Sequence, residues 1–154
     1  MWLKNGKKEM LQLVTHERLQ HSAMVVRSRC KNLRGLLAKF PTFECICVYR
    51  NSLIVALTNK DLKVNSEKGF EVIFLGKRVW IFIPDLIIED EVIVELKCCQ
   101  NLTGEHQAQL INYLAVTKIE VGLLVNFGNR KLEFKRVYHP SYPAACDPAY
   151  TERD

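Results

Sequence analysis

IPDLIIEDEVIVELKCCQ, residues 83–100, decides the fold of this 154-residue chain. Two apolar runs, Leu86–Ile88 and Val92–Cys98, flank Glu89-Asp90-Glu91 and read as an antiparallel pair of strands. In a strand, residues two apart point to the same face. Glu95 and Lys97 therefore share a face with Ile93, about 6.6 Å apart along the strand, while Val92, Val94 and Leu96 take the other. The hairpin register decides whether Asp85 joins them. A three-residue connection at Glu89–Glu91 closes Ile88 against Val92 and sets Asp85 opposite Glu95. A two-residue connection faces Asp85 with Val94 and sends its carboxylate to the other side. The first register, or a bulge near Pro84 with the same effect, is the expectation.

Outward from this segment the chain alternates strands and helices. Phe70–Leu75 and Arg78–Ile83 flank Gly76-Lys77 as a β-hairpin, and Pro84 interrupts its second run, a position suited to an edge, bulge or bend. Thr103 is a good helix cap, with Glu105 in the first turn where the helix dipole favours an acid. Leu110, Tyr113 and Leu114 give that helix an apolar stripe, and Gln109 and Tyr113, four apart, share a face. Ile119–Phe127 and Leu132–Tyr138 are further strands. The crossover from Val92–Cys98 to Ile119–Phe127 is long enough to leave those two strands parallel. Upstream, Tyr49, Leu53, Ile54 and Leu57 recur at helical spacing between Tyr49 and Leu62. Residues 9–29 show partial helical periodicity, with Leu11, Val14, His21 and Val25 tending to one side. The expected class is α/β, a mixed β-sheet core with flanking helices.

Composition narrows the function classes. The length suits one domain, and 48% hydrophobic with 25% charged residues excludes a disordered chain. No apolar run approaches 18 residues, so no membrane span is expected. The chain start lacks an uninterrupted apolar core before a small-residue cleavage site. Six cysteines without a framework spacing then point to a reducing, cytoplasmic setting. Cys45/Cys47 and Cys98/Cys99 lie too close for the usual zinc spacing, and the four histidines are scattered. Charge is uneven: residues 1–39 hold nine Lys/Arg against two acids, net +7, and the remainder is net −2. The expected organisation is a basic segment at 1–39, an α/β domain at 40–138 and a tail at 139–154. Attraction to a polyanion on charge alone falls to the first of these.

Asp85, Glu95 and Lys97 carry the chemistry. Two carboxylates a few ångström apart repel and are expensive to bury without a cation. Mg²⁺ (or Mn²⁺) relieves that repulsion, prefers carboxylate and water oxygens, and leaves part of its shell for phosphate. Lys97 can orient a water or stabilise developing negative charge. Phosphodiester hydrolysis asks for this combination. Gln109 can hydrogen-bond a phosphate or the Lys97 region, and Tyr113 adds a ring and a hydroxyl. His106, one turn earlier, reads as a helix-surface residue.

IPD at 83–85, ELK at 95–97 and QLINY at 109–113 resemble the PD-(D/E)xK nuclease superfamily, whose fold is restriction-endonuclease-like. EVIVELKC (91–98), HQAQLINYL (106–114), VGLLVNFG (121–128) and KLEFKRV (131–137), with YRNSL (49–53) and the GFEVIFLGKRV strand pair, are similar to its GxxExxY branch. The resemblance spans about Tyr49 to Val137. It implies a four-stranded mixed core sheet with a divalent-metal site at its opened edge. It also implies Asp85 and Glu95 as metal ligands, Lys97 as the catalytic lysine, Gln109 and Tyr113 as supporting helix residues, and DNA or RNA as substrate. The branch signature falls on FECICVY, residues 43–49, where Tyr49 matches but Phe43 and Ile46 replace the Gly and Glu. Glu44 is two residues early, about 200° around a helix. An active metal-dependent nuclease and a catalytically inactive nucleic-acid or protein interaction module therefore both fit. The alternating strand Leu132–Tyr138 also offers an edge for homodimerisation.

Overall fold

The computed structural model describes residues 20–33, 35, 46–129 and 131–141. Helix α1 covers residues 20–33 and α2 covers Ile46–Thr58. Strands β1 (Val64–Ser66), β2 (Phe70–Phe74), β3 (Lys77–Phe82), β4 (Leu86–Ile88) and β5 (Val92–Lys97) follow. Helix α3 (Gly104–Thr117) then leads to β6 (Val121–Asn126) and β7 (Glu133–Tyr138). The five-stranded sheet has the order β1-β4-β5-β6-β7, parallel only between β5 and β6, while β2 and β3 form a separate two-stranded sheet. The α3 crossover joins the parallel pair, as its length requires. The architecture is mixed α/β, with helices flanking a mixed sheet.

The implied four-stranded sheet is corrected to five. The extra strand, β1, pairs with β4 through Val64↔Ile88 and Ser66↔Leu86. Its three residues carry no alternation of their own, so tertiary contacts form it. Lys63 Nζ binds Asp90 Oδ2 at 2.6 Å, Asn65 Nδ2 donates to Asp90 Oδ1 at 3.1 Å, and the Lys63 amide donates to Glu89 Oε1. These contacts fall on a turn that needs holding, since Glu89 and Asp90 both sit at positive φ, 55° and 57°, where non-glycine side chains are disfavoured.

Two apolar layers fix the sheet. On one face Leu86, Ile88, Val92, Val94, Leu96, Val121, Leu123 and Val125 pack against Ala23, Val26 and Cys30 of α1 and Tyr49, Leu53 and Leu57 of α2. The α1 stripe is one residue out of phase with the expected one: His21 is exposed and Val25 half-buried, while Leu11 and Val14 lie outside the described residues. On the other face Ile87, Ile93, Leu124 and Val137 meet Leu110, Tyr113 and Leu114 of α3. Close approach there depends on Gly122, where a Cβ would stand 2.8 Å from the Leu110 side chain. Thr103 caps α3 in a reciprocal box: its side chain accepts from the His106 amide, and His106 Nδ1 accepts from the Thr103 amide at 3.1 Å. His106 is thus a capping residue on the helix surface.

Candidate active site

The β4–β5 register is Leu86↔Val94, Ile87↔Ile93 and Ile88↔Val92, the register of the three-residue connection. Continued by one pair, it sets Asp85 across from Glu95. Pro84, buried, is where the chain leaves the hairpin and enters the main sheet, so β4 has ended at this level. The ladder beyond Leu86↔Val94 is completed by a side chain: Asp85 Oδ2 accepts from the Leu96 amide at 2.8 Å. That hydrogen bond ties Asp85 to the strand that carries the other two residues.

Glu95 is 4% exposed, on the α3 side of the sheet. Its Oε1 accepts from Lys97 Nζ at 2.9 Å, and Lys97 Nζ also donates to Gln109 Oε1 at 2.8 Å. Gln109 Nε2 in turn donates to the Tyr113 hydroxyl at 2.7 Å. A continuous chain of hydrogen bonds therefore joins β5 to α3. Its other end is incomplete, because Glu95 Oε2 is buried with no hydrogen-bond partner. Burial pushes the Glu95 carboxyl above its ordinary pKa and the Asp85 charge adds to the push, partly offset by Lys97. Tyr113 is raised by burial first and by the Glu95 charge second. Its ring meets Phe82 edge-on at 5.5 Å, fastening the base of the β2–β3 hairpin beside the patch.

All five candidate residues, Asp85, Glu95, Lys97, Gln109 and Tyr113, lie in this one neighbourhood. Among the described residues no cluster of three or more His, Cys, Asp or Glu is poised to hold a metal. The two carboxylates fit a hard cation on a different observation: one acid oxygen is buried and unpartnered beside a second acid. The signature region does not join them. Ile46 packs toward the α1/α2 core on the far side of the sheet, and Tyr49 stacks on Phe127 there, 4.3 Å between ring centres. Phe43 and Glu44 lie outside the described residues.

One supporting cluster carried a signal that the strand pattern hid. Asn126, fully buried, is the lone polar residue in VGLLVNF. Its Oδ1 accepts from the Cys99 and Gly128 amides, and its Nδ2 donates to the Cys99 carbonyl and to Glu133 Oε2. Glu133 Oε2 also accepts from the Leu102 amide at 3.2 Å. Together they pin the loop that follows Lys97 and leads into α3. Gly128 has to be glycine for the same reason, since a Cβ there would lie 2.1 Å from the Cys99 carbonyl oxygen.

An acid–acid–lysine patch at the broken end of a mixed sheet, backed by a Gln and Tyr on the crossover helix, defines a nuclease-like α/β protein. Residues 43–137 match the PD-(D/E)XK nuclease superfamily. That is more than half of the chain, and the chain belongs to that superfamily. Among solved structures it is similar to an alkaline exonuclease (LHK-Exo) from Laribacter hongkongensis, 14% identical with a TM-score of 0.43. That match covers 56% of this chain and 52% of the exonuclease, so the chain spans about half the length of that enzyme. It is also similar to SSO0001, 17% identical with a TM-score of 0.49, over 85% of this chain and 78% of that one. No curated protein sequence matches it. Among the described residues no helix is long and apolar enough to cross a membrane.

Proposed function

We propose that the chain is a divalent-metal-dependent phosphodiesterase of the GxxExxY branch, hydrolysing DNA or RNA in the cytoplasm. The observation that carries this reading is the buried, unpartnered Glu95 Oε2 beside Asp85, with Lys97 held 2.9 Å from the same carboxylate. Asp85 and Glu95 would hold Mg²⁺ or Mn²⁺. A cation so held supplies polarisation of a phosphoryl oxygen and a bound water of lowered pKa. The chain's own residues do the rest. Lys97, fixed between Glu95 and Gln109, presents its ammonium as a preorganised charge that needs no reorganisation when negative charge develops on a phosphate. Gln109 and Tyr113 keep that ammonium in place, and the Asn126 network holds the loop between them.

The test uses labelled single- and double-stranded DNA and RNA with Mg²⁺ or Mn²⁺. Cleavage is expected, abolished by EDTA and by Asp85→Ala, and slowed ~10²–10³-fold by Lys97→Ala. Cleavage that survives EDTA, or that Lys97→Ala leaves unchanged, overturns the assigned mechanism. Ile46, apolar and turned to the far core, favours a second reading, a catalytically inactive module that binds nucleic acid or protein. Saturable Mg²⁺ or Mn²⁺ binding by calorimetry, lost in Asp85→Ala, argues against it.

A further inference from the structure

The β2–β3 hairpin stands apart from the main sheet and is apolar where it meets solvent. Its register pairs Phe70↔Phe82, Val72↔Trp80 and Phe74↔Lys77, with Val79 as the extra residue of a bulge. Those six side chains share one face. The base of that face is docked, Phe70 and Phe82 packing on the α3 side of the core and Phe82 touching Tyr113. Farther out Trp80 is 63% exposed and Phe74 65%, with Leu75 at the tip 86% exposed. From Phe82 to Lys77 the strand advances about 17 Å, so a row of rings runs outward from the candidate active site. A two-stranded hairpin is marginal on its own, and a contiguous exposed apolar surface marks a place of contact.

Charge selects the occupant. From Lys68 to Ile83 the arm carries Lys68, Lys77 and Arg78 against Glu71 alone, and Glu71 is bound to Arg78 at 2.9 Å. Lys77, beside Phe74, makes no ion pair among the described residues. Rings and an unpaired cation on one face complement a polyanion that offers flat apolar faces. A second copy of the arm matches the rings but adds like charge. A duplex hides its base faces in its own stack, whereas an unpaired strand presents them.

We infer that the hairpin is a stacking arm for unpaired nucleotides, with bases on Trp80 and Phe74 and phosphate at Lys77, leading a single strand to the Asp85–Glu95–Lys97 patch. The inference rests on the nuclease reading for its destination, but strand binding by the arm does not require cleavage. Trp2 and Trp80 are the two tryptophans, so Trp2→Phe leaves Trp80 as sole reporter. In EDTA, a short oligothymidylate is expected to quench its fluorescence saturably, and a duplex of equal length to do so far more weakly. Trp80→Ala and Phe74→Ala, read by anisotropy of a labelled strand, should each weaken binding between about 5- and 150-fold. Their melting temperatures should stay unchanged, because both rings are exposed. The same parent protein, assayed for cleavage in Mg²⁺ or Mn²⁺, keeps the two readings apart: Trp80-dependent strand binding without cleavage there fails only the nuclease reading. Absent quenching, equal quenching by duplex, or strand affinity indifferent to Trp80→Ala overturns the inference. So does self-association that Trp80→Ala abolishes, which assigns the arm to a second copy.

Discussion

Replacing Lys97 with methionine keeps most of the apolar stem and removes the ammonium, with its charge and its hydrogen bonds to Glu95 and Gln109. At 2.9 Å from Glu95 Oε1 the raw attraction is about 6 kcal/mol at an effective dielectric near 20, before desolvation is subtracted. Removing one partner of a buried pair typically costs about 3–5 kcal/mol. The glutamate side chain is 6% exposed but the lysine 19%, which argues for the lower end, about 3 kcal/mol. For a chain of this size that lowers the melting temperature by roughly 6–12 °C. The loss must depend on pH. The Glu95 pKa is already raised by burial and Asp85, and without the ammonium it rises further. Below the unfolded carboxylate value Glu95 is neutral in both states and imposes no charge penalty. The penalty grows as pH rises from there and is complete above the folded value. Melting curves of wild type and Lys97→Met should therefore converge at about pH 4 and separate by about pH 8. Mn²⁺ should also stabilise the variant more than the wild type, because a cation then relieves both acids alone. Tenfold excess over its dissociation constant contributes about 1.4 kcal/mol. A melting difference equal at both pH values and untouched by Mn²⁺ refutes the claim that Glu95 is the strained charge.

Two further outcomes follow from the same hydrogen-bond network. Asn126→Leu strips partners from the Cys99 amide and carbonyl and the Gly128 amide; at about 1–3 kcal/mol for each buried group left unpaired, a loss of about 3 kcal/mol or more is expected, read as a lower urea midpoint at constant m-value. Mn²⁺ binding to the wild type should release protons in weakly acid buffer, because Glu95 must ionise to become a ligand. Calorimetry in two buffers of different ionisation enthalpy measures that release, and Glu95→Gln should remove it.

Much of this architecture was legible because it rests on short-range rules. Alternation around Glu95 and Lys97 set their common face, the three residues 89–91 set the register, and Thr103 announced its helix. What stayed hidden depended on distant partners. β1 has no pattern of its own and is held by its pairing with β4, by Val64 packed on the core, and by the Lys63 and Asn65 contacts to Asp90. Pro84 was readable as an interruption, but not that the chain changes sheets there, since that follows from where Phe70 and Phe82 find apolar surface on α3. The α1 stripe slipped by one residue because partial periodicity leaves the phase to packing. Asn126 was visible as one polar residue in an apolar strand, yet its meaning required knowing that the Cys99 and Gly128 backbones converge on it.

Ile46, where the resemblance calls for an acid, does not by itself argue against the proposed metal site. Mg²⁺ is commonly held by one or two carboxylates plus waters and substrate phosphates, and on the proposed reading Asp85 with Glu95 would supply two. A third acid would add affinity in the absence of substrate, where Ile46 instead adds apolar packing to the far core. With only two ligands from the chain, the remaining coordination of such a cation would fall to water or to phosphate oxygen. Cation and nucleic-acid binding would then be linked, each strengthening the other by the same factor. Lys97 fits that scheme: it neutralises part of the charge on Glu95 while no cation is bound, and its Gln109 hydrogen bond keeps it near the patch when a cation takes over that task. On the proposed reading, such a site would hold a cation weakly by itself and firmly only with a strand in place.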